Sequence, residues 1–223
     1  EILIGLVGSE MCIRDSYKPE EIKRHSSVCT ATGSIQLDGL KVNLLDTPGM
    51  FDFAGGMIQG ISAADCVMIT VSGKSGVRVG TKKAYRAAAG KPRMFVVTKL
   101  DDENANFYNV LTDLKSTFGP SVCPVVVPVI VDRKVDSYIN LIEMKAYRYD
   151  ADGKAQEIPM PTSEVSEKLS YRVDGLIQAF SEAIAETDET LFEKFFSGEE
   201  FTQKERVDGI HKGMRDGTIT PVA

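Results

Sequence analysis

Two short apolar runs, residues 66–71, broken only by Thr70, and residues 94–97, limit the possible folds more than any other feature of the chain. Both are of strand length, and neither alternates with polar residues, as expected of strands covered on both faces of a parallel sheet. Residues 78–89 between them have helical spacing and run into Gly90 and Pro92, a helix stop. Strand, helix and strand in that order predict an α/β domain. Upstream, residues 34–45 read as a hairpin, with Ile35 and Leu37 on one arm, Leu40, Val42 and Leu44 on the other, and Asp38-Gly39 at the turn. Residues 57–64 have helical spacing. Downstream, Phe107, Val110, Leu111, Leu114 and Phe118 share one helical face that closes at Gly119 and Pro120. Together these elements make half of a doubly wound sheet.

The texture changes near Pro124, where Pro124 and Pro128 interrupt a valine-rich run. Residues 138–149 alternate like one exposed antiparallel strand, and a hairpin is expected around Asp152-Gly153. A long helix should then carry Val165, Leu169, Val173, Leu176, Ile177, Phe180 and Ile184 on one face. Two shorter helices follow. One holds Leu191, Phe192, Phe195 and Phe196 and ends at Gly198; the other is opened by a Thr202/Glu205 capping box and closed near Gly217. Residues 218–223 read as a strand just begun.

Bulk properties exclude several classes of function. A net charge of −6 and a pI near 5.1 argue against broad capture of nucleic acid and against sequence-specific DNA binding, so any RNA contact has to be local. Cys12, Cys29, Cys66 and Cys123 lack the spacing of a zinc site or a disulfide framework and read as reduced thiols, which suits cytoplasm. The longest apolar stretch, residues 123–131, is far shorter than a bilayer span, and no secretory leader is visible. His25 and His211 have no partner at ligand spacing, and Glu193, Glu199, Glu200 and Glu205 read as a solvated acidic face.

Residues 1–16 resemble no segment expected before this fold. Leu6 to Ser16 back-translate, with permitted codons, into the read-through of a transposase adapter used in sequencing libraries. They are expected to be an adapter artefact, so fold reasoning starts at Tyr17.

The chemistry is expected at the ends of the predicted strands, where ligands sit in open α/β sheets. Asp46-Thr47-Pro48-Gly49 directly follows the 42–45 strand. A carboxylate there can hold a magnesium ion, usually through water, and the Gly49 amide can approach a terminal phosphate because no side chain intervenes. Thr98-Lys99-Leu100-Asp101 follows the 94–97 strand. The Asp101 carboxylate can accept two hydrogen bonds from guanine's ring and exocyclic N–H groups, and Lys99 can lay its aliphatic stem along the base.

With both loops in this order, residues 17–28, 46–53, 73–81, 98–107 and 143–146 resemble the nucleotide domain of elongation factor G, including its inserted subdomain. The resemblance covers essentially everything after residue 16. Phe51-Asp52-Phe53 looks closer to the elongation-factor-G-like paralogues than to the main factor. The resemblance implies a P-loop-type G domain, a mostly parallel sheet flanked by helices, with an inserted α+β subdomain. It divides the chain into a partial GTP-binding domain at 17–123, the inserted subdomain at 124–217 and a returning strand at 218–223. It implies GTP or GDP and Mg²⁺ as cofactors, with Asp46 and Ser27 on the metal, Ser27 standing where the family has threonine. It also implies the ribosome's factor-binding site and stalk protein as partners, and GTP hydrolysis coupled to translocation in translation elongation.

Three departures temper that expectation. No G-x-x-x-x-G-K-[ST] loop is present: Gly73-Lys74-Ser75 imitates its tail, but Met68 stands where the first glycine belongs, so this is read as a surface loop. The polypeptide is therefore expected to be an inactive fragment of a GTPase. Met50 occupies the position of the family histidine that positions the attacking water, and a thioether orients water poorly. Thr98 for the family's asparagine is a milder change, as is Ser27 for threonine. The loop of the family that contacts guanine after the inserted subdomain is expected beyond Ala223. An alternative reading is a nucleotide-gated ribosome-binding module, protective or regulatory, with weak or no hydrolysis.

Overall fold

The structure is a computed structural model that describes residues 18–37, 39–131, 134–150, 153–161, 164–166 and 171–223. The expectations for residues 1–16, Asp38, Asp152 and Leu169 lie outside the described residues. A short helix α1 (Pro19–Arg24) opens the described chain, with Pro19 in its first turn. Strands β1 (Ala31–Leu37) and β2 (Leu40–Asp46) then form a two-stranded antiparallel hairpin in which Leu37 faces Leu40. Gly39, at φ 79°, supplies the left-handed backbone that a two-residue hairpin turn requires. A 3₁₀ turn (Phe51–Phe53) leads into α2 (Ala54–Ala63).

The central sheet is parallel. It contains β3 (Val67–Ser72), β4 (Arg93–Thr98), β5 (Val122–Pro124) and β12 (Thr220–Val222), in the order β3-β4-β12-β5. Crossover helix α3 (Val79–Ala87) joins β3 to β4, and α4 (Phe107–Phe118) joins β4 to β5. The Asn106 side chain caps α4 by accepting from Asn109 N–H. Tyr85, Phe95 and Phe118 bind α3, β4 and α4 together, with ring centroids 4.3–5.6 Å apart, and the Arg93 guanidinium lies 3.6 Å from the Tyr85 ring centre.

The second sheet is antiparallel, β6 (Val126–Val131), β7 (Lys134–Asn140), β8 (Lys145–Tyr149) and β9 (Ala155–Ile158) in sequence order. Val125 links the two sheets: its N–H donates to Val222 and its carbonyl accepts from Leu141. A short pair, β10 (Glu164–Ser166) with β11 (Tyr171–Arg172), precedes helices α5 (Val173–Ala185), α6 (Glu189–Phe196) and α7 (Gln203–Asp216). One hydrophobic core runs without a break from Phe95, Val97 and Val222 through Val125, Ile139 and Leu141 to Phe180, Ile184 and Ile210.

Two expectations are corrected. Residues 138–149 form two strands instead of one, because the Asn140 carboxamide accepts from Ile142 N–H and Glu143 N–H and turns the chain, with Met144 completing the bend at φ 56°. The long helix does not reach back to Val165. That residue belongs to β10, whose pairing with β11 overrides the four-residue apolar spacing, and α5 starts at Val173 with Asp174 in its first turn. The Thr202/Glu205 box is present, and Glu205 is not merely solvated: it accepts from Thr202 N–H at 2.7 Å and from the Lys194 ammonium at 2.9 Å. Glu193, Glu199 and Glu200 are exposed.

Arg206, buried on α7, donates to the carbonyls of Ile142 and Phe201, fastening the β7–β8 turn to the helical layer. Arg206→Met should strand both carbonyls and lower stability by about 2–4 kcal/mol, read as a lower urea midpoint. Lys194 and Thr202 hold the Glu205 carboxyl down to about 2, and Lys212 and Thr190 do the same for Asp188. Because these folded values lie below the unfolded ones, their stabilisation is full above the ordinary carboxylate range and is lost as pH falls toward 2. Melting temperature measured from pH 6 to pH 2 should fall less steeply in Lys194→Met than in the parent chain.

Candidate functional site

Asp46 ends β2, and Thr47-Pro48-Gly49 carries the chain toward α2. The loop is seated by two glycines one turn apart on that helix. A Cβ on Gly60 would stand 2.4 Å from Thr47 Cγ2, so the approach needs that side chain absent, and one on Gly56 would stand a tight 3.2 Å from Pro48 Cδ. Thr30 Oγ1 adds a hydrogen bond to the Gly56 carbonyl at 3.2 Å. Pro48 is buried, whereas Asp46, Gly49 and Met50 are exposed, so the packed side of the loop holds the polar side to solvent.

The segment facing this loop is organised by Glu21, a residue that the sequence reading did not single out. Its side chain is 1% exposed, and its carboxylate accepts from Val28 N–H at 2.9 Å, Cys29 N–H at 3.1 Å and Lys18 N–H at 3.2 Å. The Val28 and Cys29 amides hold its carboxyl below the usual range. The chain is thereby folded back so that Ser27 Oγ donates to Asp46 Oδ2 at 3.5 Å, a long bond between the two residues expected on a metal. Two hard oxygens fit Mg²⁺, which commonly takes one or two protein ligands and completes its shell with water and phosphate. Among the described residues, no group of three or more His, Cys, Asp or Glu side chains converges to hold a metal. His25 ends α1 in the left-handed region at φ 50°, a capping role. Met50 is 47% exposed, and the Ser26 hydroxyl lies 3.8 Å from its sulfur.

The second loop leaves β4 at Thr98. Lys99 turns the chain at φ 58°, Lys99 and Asp101 are exposed, and Thr98 is half-buried. A turn at Gly73-Lys74-Ser75 supports this loop from β3. Gly73 N–H donates to the Thr98 carbonyl at 2.8 Å, and a Cβ on Gly73 would stand 2.8 Å from Leu100 Cδ2. Lys74 reaches Asp102 at 3.0 Å, and Asp102 also accepts from Asn104 N–H. Asn104 first and Lys74 second hold the Asp102 carboxyl below its usual value. Gly73-Lys74-Ser75 thus forms a turn ahead of α3, and its lysine is committed to Asp102. Asp101 accepts no hydrogen bond among the described residues; its charge lies close enough to Tyr138 on β7 to help raise that phenol, after burial and Tyr149. Ala223 lies beside the same strand end, accepting from Val97 N–H at 2.7 Å and donating to the Phe95 carbonyl at 3.0 Å.

The structure therefore joins Ser27 to Asp46 and builds Thr98, Lys99 and Asp101 on one braced loop. No hydrogen bond among the described residues joins the two groups. An open depression of about 740 Å³ lies elsewhere, at the start of α6 beside Lys212, and another of about 450 Å³ lies against the Gly73 turn and α4. A signal for Glu21 was present in Pro19-Glu20-Glu21, a helix start, but its burial depends on amides seven and eight residues away and has no local signature. Cys29 and Cys66 are exposed free thiols, and burial pushes the Cys123 thiol up to about 12. Among the described residues, no helix is long and apolar enough to cross a membrane.

The family model of the elongation factor Tu GTP binding domain matches residues 10–207, a match that begins inside the 1–16 segment. The elongation factor G-like protein of Thermotoga maritima is 33% identical over 208 residues, covering 92% of this chain and 29% of that protein. The elongation factor G-like protein of Mycobacterium tuberculosis is 33% identical over 217 residues, 96% of this chain and again 29% of the relative. A crystal structure of a protein from Thermus thermophilus superposes with a TM-score of 0.81 at 38% identity, covering 94% of this chain and 31% of that one. The chain thus spans just under a third of the length of these relatives. With its parallel sheet and two strand-end loops, the chain belongs to the elongation factor Tu GTP-binding domain family of translational GTPases.

Proposed function

We propose that this chain is the nucleotide-binding part of a ribosome-associated GTPase that couples GTP hydrolysis to translocation. The observation that carries the reading is the coexistence of the Ser27–Asp46 oxygen pair and the braced Thr98–Asp101 loop, each at the end of a strand. Asp101 would receive the guanine N–H edge, Lys99 would cover the base, and Thr98 would shape the loop through its carbonyl. Asp46 and Ser27 would hold Mg²⁺, whose charge would neutralise the phosphate oxygens. Thr47, Pro48 and the Gly49 amide would follow the terminal phosphate, and α2, seated on Thr47 through Gly60, would report its presence. The inserted helical region would meet the ribosomal stalk, and the protein would work in the cytoplasm.

The sequence contains no complete G-x-x-x-x-G-K-[ST] loop, since Gly73-Lys74-Ser75 has Met68 in place of the first glycine, so this polypeptide alone should bind GTP weakly. Specificity is therefore best tested in a longer form of the protein that supplies that loop. Asp101→Asn should lower GTP affinity by about 10²–10⁴-fold through loss of two charge-assisted hydrogen bonds, and should favour xanthosine triphosphate, whose added carbonyl accepts from the new amide. Calorimetric titration with both nucleotides reads the switch; unchanged GTP affinity would remove Asp101 from the site.

A second reading, a nucleotide-gated ribosome-binding module, is favoured by Met50 alone. Its exposed thioether can neither donate a proton nor orient water. In single-turnover hydrolysis on ribosomes, Met50→His should raise the rate by about 10²-fold if water positioning is what is lacking. A wild-type rate already as high as that of the variant would reject the module reading.

A further inference from the structure

Between the β7–β8 turn, α5 and the segment joining α6 to α7 lies a cavity of about 400 Å³, lined by no residue of either strand-end loop. Its walls are largely apolar. Met144 in the turn, Ile177 on α5, Phe195 on α6 and Phe201 ahead of α7 stand around it, and the rings of Phe195 and Phe201 lie 6.5 Å apart. Phe201 is buried, whereas the other three pack against the core and remain only half-buried, so apolar surface is left facing the space between them. Methionine and aromatic walls of this kind adapt to an irregular apolar guest.

One wall carries a cation. Arg206 is only 9% exposed and lines the cavity. Its Nε and Nη1 donate to the Ile142 and Phe201 carbonyls, but its Nη2 donates to no group among the described residues. No fully buried polar side-chain atom among those residues lacks a partner, so Nη2 is not sealed in protein and faces the open space beside it. Burial lowers the Arg206 pKa, and Glu200 is near enough to oppose that shift; the guanidinium stays charged. Glu199 and Glu200 also line the cavity, both exposed at its mouth, and neither forms an ion pair among the described residues.

A guanidinium with an unused donor in an apolar cavity favours a carboxylate, which gives it a charge-assisted hydrogen bond. The two glutamates at the mouth repel an anion that brings no compensating positive charge. A plain hydrocarbon would strip water from Nη2 and replace none of its bonds. We propose that the cavity binds a small zwitterion with an apolar body, its carboxylate on Arg206 and its ammonium at Glu199 and Glu200. An apolar dipeptide has that form, with one charge at each end and two side chains suited to Met144, Ile177 and Phe195. Because the cavity is built without the strand-end loops, this binding holds or fails independently of the nucleotide.

The test is titration of the 223-residue chain with the dipeptide leucyl-phenylalanine, followed through backbone amide chemical shifts. The dipeptide should bind with a Kd of about 10–100 μM, the affinity that about twenty non-hydrogen atoms gain at ordinary ligand efficiency. It should shift the amides of residues 177–181 and 195–206 and leave those of 46–49 and 98–101 in place. Leucyl-phenylalanine amide, which lacks the carboxylate, and N-acetyl-leucyl-phenylalanine, which lacks the ammonium, should each bind about tenfold more weakly. Glu199→Gln/Glu200→Gln, two exposed changes that should leave the melting temperature as it is, should weaken the dipeptide about tenfold and should not weaken the N-acetyl form. The proposal is overturned if saturating dipeptide moves none of these amides, or if N-acetyl-leucyl-phenylalanine amide, blocked at both ends, binds as tightly as the dipeptide. It is also overturned if the glutamine variant weakens the dipeptide and its N-acetyl form equally.

Discussion

The parallel sheet depends on a strand of three residues. Thr220–Val222 lies between β4 and β5 and gives hydrogen bonds to both, with Thr220 N–H donating to Ser121, Val222 accepting from Val125 and Ala223 bonding in both directions across to β4. Without it β5 would have no parallel partner, because β4 and β5 do not pair directly. The strand is also the end of a long excursion. The chain leaves the sheet at Pro124, builds an antiparallel sheet and three helices, and returns about a hundred residues later to fill the gap. Such a contact carries a large loop-closure cost, and what offsets it is the shared core: Val222 is fully buried, and α5 lies against β5 with Phe180 and Ile184 excluded from solvent.

The candidate site is built on this frame by close approaches, with few strong bonds. Three glycines set it. Gly56 and Gly60 admit the Pro48 and Thr47 side chains against α2, and Gly73 admits Leu100 against β3, so each strand-end loop is pressed onto a neighbouring element while its polar atoms stay outward. Glu21 does for residues 18–29 what those glycines do for the loops, using a buried carboxylate to collect three amides. A carboxylate buried this way is stabilised by hydrogen bonds to its charged form, here from three backbone N–H groups.

The parts legible in the sequence are those whose cause is local. The apolar runs at 66–71 and 94–97 announced buried parallel strands; Gly119, Thr202 and Gly217 marked helix ends; and the loops at 46–49 and 98–101 could be placed from the strands they follow. What failed turned on a single polar side chain or on distant pairing. Asn140 breaks one apparent strand into two through its own carboxamide, hidden between Ile139 and Leu141 in an otherwise apolar stretch. Val165 sits at helical distance from Val173, yet strand pairing claims it. Glu21 and Arg206 carry no local signal of the amides and carbonyls that bury them. Periodicity reports which face is apolar; it does not report which charged residue the fold will use as an internal fastener.

Charge is distributed as unevenly as hydrophobicity. The 66–100 segment is wholly basic in its ionisable carboxylate and amine groups, while the region from Glu186 to Glu205 carries seven of the chain's carboxylates, two of them held down near 2 by lysines on adjoining helices. A net charge of −6 therefore describes neither end. The Lys83–Phe51 contact joins the basic segment to the turn that follows the Asp46–Gly49 loop.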